Sequence, residues 1–390
     1  MNKSICMVVF SYYPADPRPR REAEALIDAG FSVDMICLRN RNESAQETVH
    51  GVTIYRMPLQ KQRGGKLRYL WEYFYFGLLA LLKVSWLFLR KGYRIIHVHN
   101  MPDVLVFTAL LPRLLGRKVV LDLHDPMPEV FIAKYEMADT HPVIKTLRVL
   151  EKFSIAFAHQ VLTPNIAFEK LFVGRSCKAN KVAVIMNSPD ESIFTPQTPQ
   201  PAQKKDSFIV MYHGTIVERN GLDTAIYAIA QLKDKIPGLE FHVYGEGDFV
   251  QQFLQIKESL SLGDTVQYHG FTPLEEIAAA LKTIDIGVIP NKRSPFTEIN
   301  MPTRIFECLR MGKPVIAPNT QGIRDYFSPQ DLFFFEPGEV DDLAKVILQA
   351  YENPALRDTV LHNGLKICEA HWWINEKQAL VKLEAALLGN

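Results

Sequence analysis

Apolar and β-branched residues gather in short runs along the first half of the chain, at 5–10, 33–38, 52–55, 94–98, 119–123 and 161–163. Each run has the length of a strand, and longer helical-looking stretches separate them. Strands alternating with helices predict a parallel sheet covered on both faces, because a βαβ crossover lays its helix against the sheet. The same rhythm restarts at 208–213 and continues through 240–244, 265–269, 285–289, 315–317 and 332–335. Between the two series, the proline-rich stretch 195–205 has no apolar periodicity and reads as a linker. The pattern therefore predicts an α/β chain of two Rossmann-like parallel-sheet domains, 1–195 and 207–370, joined by 196–206. Ligands of open α/β sheets bind beyond the carboxyl ends of the strands, so two such domains facing each other would enclose a cleft there.

Segment 67–89 departs from this rhythm. It carries Trp71, Tyr73, Phe74, Tyr75, Phe76, Trp86 and Phe88 among leucines, interrupted by Glu72 and Lys83 and flanked by Arg63, Lys66, Arg68 and Arg90. Its length approaches a bilayer span, but the internal charges and the cationic, aromatic edges suit a helix lying in a membrane interface across 63–90. A core helix against the first sheet fits the same pattern.

Composition narrows the function classes. With 390 residues the chain exceeds one ordinary core, and 47% hydrophobic against 22% charged residues describes a folded protein. Its 44 basic and 43 acidic residues leave no chain-wide field for a nucleic-acid backbone. Cys6, Cys37, Cys177, Cys308 and Cys368 are scattered and odd in number, which argues against a disulfide framework and for a reducing cytoplasm. The first apolar run has no secretory pattern behind it.

The richest local signal runs from Asn300 through Met301-Pro302-Thr303-Arg304-Ile305-Phe306-Glu307 to Gly312-Lys313-Pro314-Val315. Pro302 opens a helix, Gly312 closes it and a strand follows. At 100° per residue, Ile305 and Leu309 share the core face, and Thr303, Glu307 and Arg310 fall opposite. A carboxylate so placed can accept both hydroxyls of a ribose, while helix N-terminal amides and Arg304 meet a diphosphate. An Arg304–Glu307 surface pair is the plainer alternative.

This passage resembles the nucleotide-sugar signature of family 4 glycosyltransferases with the GT-B fold, and the resemblance covers nearly the whole chain. It implies that Glu307 binds the ribose of a nucleoside diphosphate sugar, UDP- or GDP-linked. The family's first motif glutamate normally stands eight residues before the second; here that position is Ile299, with Glu298 one residue further upstream, and Glu298 is assigned to the donor sugar. In the family's first C-domain loop, two customary cationic positions are Thr215 and Asn220, so the diphosphate falls to Arg219 with Arg304 assisting. Gly214, Gly245 and Phe271, on loops that follow strands, resemble the nucleotide pocket; Phe271 fits a core position equally well. In related folds the last helix crosses back, so 371–390 is expected on the first domain, with Trp372 and Trp373 near the crossing.

In the first half, Asp122-Leu123-His124-Asp125 follows a strand and resembles the family's histidine motif, which implies that His124 contacts the transferred sugar. His97 and His99 share a strand face, and with His124 and Asp125 a metal site is conceivable; the resemblance instead implies no required metal or other cofactor. Acceptor-side candidates are Asp16, Arg18, His99, Asn100, Asp103, Asp125 and Glu129; for Asp16 a helix-capping role competes. The expected activity is sugar transfer, with the retention of configuration that the resemblance implies, to a saccharide or lipid-linked acceptor in polysaccharide assembly at the cytoplasmic face of a membrane. A sugar-nucleotide epimerase of the same fold and a non-catalytic nucleotide-sugar binding partner are the competing readings.

Overall fold

The computed structural model describes residues 3–61, 66–196 and 207–389. They form two compact units, Met1–Asn187 with Ile374–Asn390, and Ser188–Trp373. Each is built on one sheet.

The first unit has eight strands: β1 (Ser4–Val8), β2 (Ser32–Leu38), β3 (Gln46–Val49), β4 (Val52–Met57), β5 (Ile95–His99), β6 (Lys118–Asp122), β7 (Gln160–Thr163) and β8 (Val182–Val184). Their order is β3-β4-β2-β1-β5-β6-β7-β8, and every pair is parallel except β3 with β4. The central strands β1 and β5 are buried at every position, as a sheet covered on both faces requires. The chain works outward from β1 in one direction and then resumes at β5 in the other, so the sheet's switch point lies between β1 and β5. That is where loops splay apart and polar groups can gather.

The second unit has six parallel strands: β9 (Phe208–His213), β10 (Leu239–Tyr244), β11 (Val266–Gly270), β12 (Ile286–Val288), β13 (Val315–Pro318) and β14 (Phe333–Phe335), in the order β11-β10-β9-β12-β13-β14. Its switch point lies between β9 and β12. Tyr212, Phe241, Phe253 and Phe335 fill its core.

The boundary between units falls at Asn187–Ser188 rather than near residue 200. Residues 188–194 are held by the second unit: Ser188 Oγ donates to the carbonyl of His371, and Phe194 is buried with its carbonyl accepting from Arg310 Nε at 2.7 Å. The expected linker lies, from residue 197 to 206, outside the described residues. The last helix, Trp373–Gly389, belongs to the first unit from Ile374 onward. There Glu376 Oε2 accepts from the Met186 amide at 2.9 Å, and Leu380 is fully buried. Trp372 instead lies in the second unit, 4.5 Å beneath the Arg310 guanidinium.

Helix Lys66–Lys91 has one face buried in the first unit and the other exposed. Glu72, Phe76, Ala80, Val84 and Leu87 form a buried stripe at spacings of three and four, and Phe76 meets Phe10 edge-on at 5.1 Å. The opposite stripe of Trp71, Phe74, Leu78, Leu82, Trp86 and Leu89 is exposed. Lys83 and Arg90 lie over the Trp86 ring at 4.6 and 4.3 Å, so cations border the exposed apolar row. By length and composition Trp71–Lys91 could cross a membrane, but a third of its apolar window is buried within the unit. Residues 62–65, including the flanking Arg63, lie outside the described residues.

Candidate functional site

In the second unit the polar residues collect at the ends of β9 and β10 and at the start of helix Thr303–Arg310. Ile305, Phe306, Cys308 and Leu309 of that helix are buried, which turns Glu307 and Arg304 off the core. Glu307 Oε2 meets His213 Nε2 at 2.6 Å, and 12% of the Glu307 side chain stays exposed. Arg304 Nη1 donates to the His213 carbonyl at 2.9 Å while its guanidinium lies 4.7 Å over the Tyr212 ring. The last residue of β9 thus holds both the carboxylate and the guanidinium. Arg304 and Glu307 are anchored to this strand end, so the plain surface pair is not what forms.

Two glycines make the adjoining loops possible. Gly245 has φ +135°, and a Cβ there would stand 1.9 Å from the Gly214 carbonyl oxygen. Gly214, at φ +126°, lies so close to Arg304 that a Cβ would come within 3.1 Å of Nη1. The loops therefore present bare backbone beside a guanidinium and a carboxylate, the arrangement that lets polar main-chain groups approach a ligand.

Arg219 sits on the turn Glu218–Asn220, with its guanidinium 5.9 Å from the Phe296 ring and its carbonyl accepting from the Lys292 amide. Asn220 is a brace: buried, it donates to the Thr215 carbonyl at 2.7 Å and the Tyr212 hydroxyl at 3.3 Å. Lys292, which follows β12 and was not singled out from sequence, joins this loop by pairing with Asp223 at 2.5 Å. Glu298 is engaged by the protein itself, ion-paired to Arg293 and accepting from the Gln321 amide at 3.0 Å. Thr303 opens the helix and is partly buried. Phe271 is 70% exposed, which removes the core alternative for it.

In the first unit the switch point gathers a buried polar cluster. Register places His99 opposite Asp122 at the paired ends of β5 and β6. His99 Nδ1 lies 3.1 Å from Asp122 Oδ2 and 3.1 Å from His124 Nε2, and His124 Nε2 lies 3.3 Å from Asp122 Oδ2. Glu22, from helix Pro17–Asp28, completes a set of four ligand-type side chains whose donor atoms all lie within 4.8 Å of one another. The metal grouping considered from sequence shares only His99 and His124 with this set; Glu22 and Asp122 were missed, and His97 stands behind. His97 Nδ1 is 2.8 Å from Glu384 Oε1 of the last helix, and its Nε2 is 3.5 Å from Glu22.

Electrostatics separates the histidines. Burial works against a charge on His97, but the nearby carboxylates of Asp122, Glu384 and Glu22 outweigh it and push its pKa up to about 10. Burial dominates at His124, with Arg18 and His99 adding to it against Asp122, and its pKa falls to about 3. His99 is lowered by burial as well. His97 is therefore an imidazolium at neutral pH, and His124 a neutral imidazole.

Several acceptor-side assignments change. Asp16 caps helix Pro17–Asp28 by accepting from the Arg18 amide at 3.3 Å, and the two side chains pair. Asn100 is an internal brace: its Oδ1 accepts from the His124 amide at 2.8 Å, and its Nδ2 donates to Asp103 at 3.0 Å and to the Asp125 carbonyl at 2.7 Å. His99 and Asp103 are buried, so neither is open to an acceptor; burial pushes the Asp103 carboxyl up to about 7. Glu129 is turned inward by its helix onto Arg175, which grips it at 2.6 and 3.0 Å and also binds Glu151 at 2.9 Å. That is a structural ion network. Of the first-unit candidates, Arg18, His124 and Asp125 retain positions around the cluster.

The comparisons with known proteins divide the chain the same way. Residues 15–188 match the model described as glycosyl transferase 4-like domain, and residues 194–366 the model described as glycosyl transferases group 1. The colanic acid biosynthesis glycosyltransferase WcaL of Escherichia coli is 26% identical over 204 residues, 47% of this chain and 50% of its own length. The chain thus spans about half the length of that curated relative. A sucrose-phosphate synthase from Thermosynechococcus elongatus has the same fold, with TM-score 0.81 at 20% identity over 99% of both chains. Anabaena HepE, solved in complex with UDP-glucose, superposes with TM-score 0.74 at 17% identity, covering 98% of this chain and 99% of that one.

Proposed function

The chain belongs to the GT-B glycosyltransferases of the family 4 type, and from that membership we propose that it transfers a sugar from a nucleoside diphosphate sugar, UDP- or GDP-linked, to a saccharide or lipid-linked acceptor in polysaccharide assembly. One observation carries the donor half: His213 holds Glu307 and Arg304 beside bare backbone at Gly214 and Gly245. Glu307 accepts the ribose hydroxyls. Arg304, Arg219 and the amides opening helix Thr303–Arg310 take the charge that builds on the departing diphosphate as the anomeric carbon gains oxocarbenium character. These cations do the work a metal does in other transferases, so transfer needs no divalent ion. His124, neutral at working pH, hydrogen-bonds a hydroxyl of the transferred sugar, which leaves with its anomeric configuration retained. WcaL's name gives that relative a part in colanic acid biosynthesis, which supports a saccharide acceptor.

The acceptor is brought to the enzyme at an anionic membrane surface on the cytoplasmic side. The support is the exposed row Trp71, Phe74, Leu78, Leu82, Trp86 and Leu89, bordered by Lys83 and Arg90. Isothermal titration with UDP- and GDP-sugars, followed by transfer assays on lipid-linked and soluble saccharides, tests the reading. Saturable binding of one donor with transfer to an acceptor is expected; no binding by either nucleotide class refutes it. Flotation with vesicles containing phosphatidylglycerol tests the membrane part, and Lys83→Glu with Arg90→Glu should abolish it. Flotation unchanged by the charge reversal removes that part alone.

A further inference from the structure

The buried cluster at the switch point of the first sheet is not needed to hold a nucleotide in the second unit, and its donor geometry has its own meaning. In tetrahedral coordination with nitrogen and oxygen donors at about 2.0–2.1 Å, neighbouring donor atoms lie roughly 3.3 Å apart. His99 Nδ1, His124 Nε2 and Asp122 Oδ2 form a triangle with edges of 3.1, 3.1 and 3.3 Å. Glu22 closes the fourth side within reach, and its Oε2, buried, accepts no hydrogen bond. We propose that Glu22, His99, Asp122 and His124 form a binding site for a divalent transition metal of the zinc class, held by two imidazoles and two carboxylates.

The surroundings agree with the donor set. His97, backed by Glu384, stands outside the set, with its Nε2 3.9 Å from Asp122 Oδ2. The four ligands come from a helix, two adjacent strand ends and the loop after β6, elements already locked by register and by the Asn100 brace. Imidazole with carboxylate favours zinc, cobalt or nickel over magnesium or calcium, which prefer all-oxygen shells. The site takes no part in the charge stabilisation assigned to the second unit; occupancy would immobilise His124 and so hold a sugar-contacting residue in place.

The test uses the full-length chain, stripped with chelator, titrated with Zn²⁺ by calorimetry and with Co²⁺ by visible absorption. One equivalent of metal per chain with ligand-field bands in the visible is expected. His99→Ala and Asp122→Asn should each weaken Zn²⁺ binding at least tenfold while UDP affinity, read on the same samples, stays unchanged. Where either variant loses UDP binding with its fold, Glu22→Gln is read in its place with the same expected loss. Absence of a cobalt spectrum and of zinc heat in the native chain overturns the site, as does equal zinc affinity in the variants. Neither result touches donor binding, so failure here and failure of the transferase reading are distinguishable.

Discussion

Replacing Glu307 by alanine deletes a carboxylate that meets His213 at 2.6 Å on one oxygen and has further lone pairs for a ligand. If that carboxylate accepts ribose hydroxyls, each lost charged hydrogen bond costs about 1.5–3 kcal/mol of binding. At about 1.4 kcal/mol per decade, one such bond weakens the donor at least tenfold, and two weaken it by roughly a hundredfold or more. The side chain keeps 12% of its surface exposed and lies off the core face, so the fold should survive the change. His213→Ala leaves the carboxylate in place but unheld, and should weaken binding less than Glu307→Ala. The double variant should be no worse than Glu307→Ala alone, because the histidine acts through the glutamate. Calorimetric titration of UDP, with GDP in parallel, measures all three. Affinity within twofold of the native chain in Glu307→Ala, with an unaltered melt, would refute the assignment.

Three further outcomes follow from the geometry. Gly245→Ala forces a Cβ to 1.9 Å from the Gly214 carbonyl at φ +135°, a cost of about 3 kcal/mol or more from strain and overpacking; its calorimetric melting transition should fall by roughly 6–12 °C, and an unchanged one would show that the loops yield. Arg175→Ala strips the cation from Glu129 and Glu151 and should cost about 3–5 kcal/mol in denaturant unfolding, whereas Arg175→Lys keeps the charge but not the fork and should recover only part of that; a lysine variant as stable as the native chain would contradict the bidentate reading. His97, facing Glu22, Asp122 and Glu384 with His99 beside it, has its pKa raised from 6.5 to about 10, so its stabilisation is complete below pH 6.5 and is lost as pH rises through 10. His124, lowered from 6.5 to about 3, contributes above pH 6.5 and loses that contribution as pH falls toward 3. The melting temperature should peak near neutrality, and His97→Gln should flatten only the alkaline limb.

What sequence reading could reach was set by the range of each interaction. The twelve strand runs are local patterns, and each lies on an observed strand to within two residues at either end. The edge strands β3 and β8 were missed because Gln46–Val49 is polar and half-exposed and Val182–Val184 has three residues, too few for a pattern. The proline-rich stretch looked like the boundary, yet Phe194 and Ser188 are claimed by partners more than a hundred residues away. Site residues divide the same way. Glu307 and Arg304 were legible because one helix turns both off its core face. His213, which holds them, read as the last residue of an apolar strand; only β9 lying opposite helix Thr303–Arg310 gives it a role. Asp122 was passed over as a strand end, and the pairing of β5 with β6 sets it against His99. Glu129 and Asp103 failed in the opposite direction: polar residues after strands look open to ligand, but Arg175 and Asn100 close them into the interior. A motif therefore locates a loop, while the partner that decides whether its carboxylate faces ligand or core is supplied by topology.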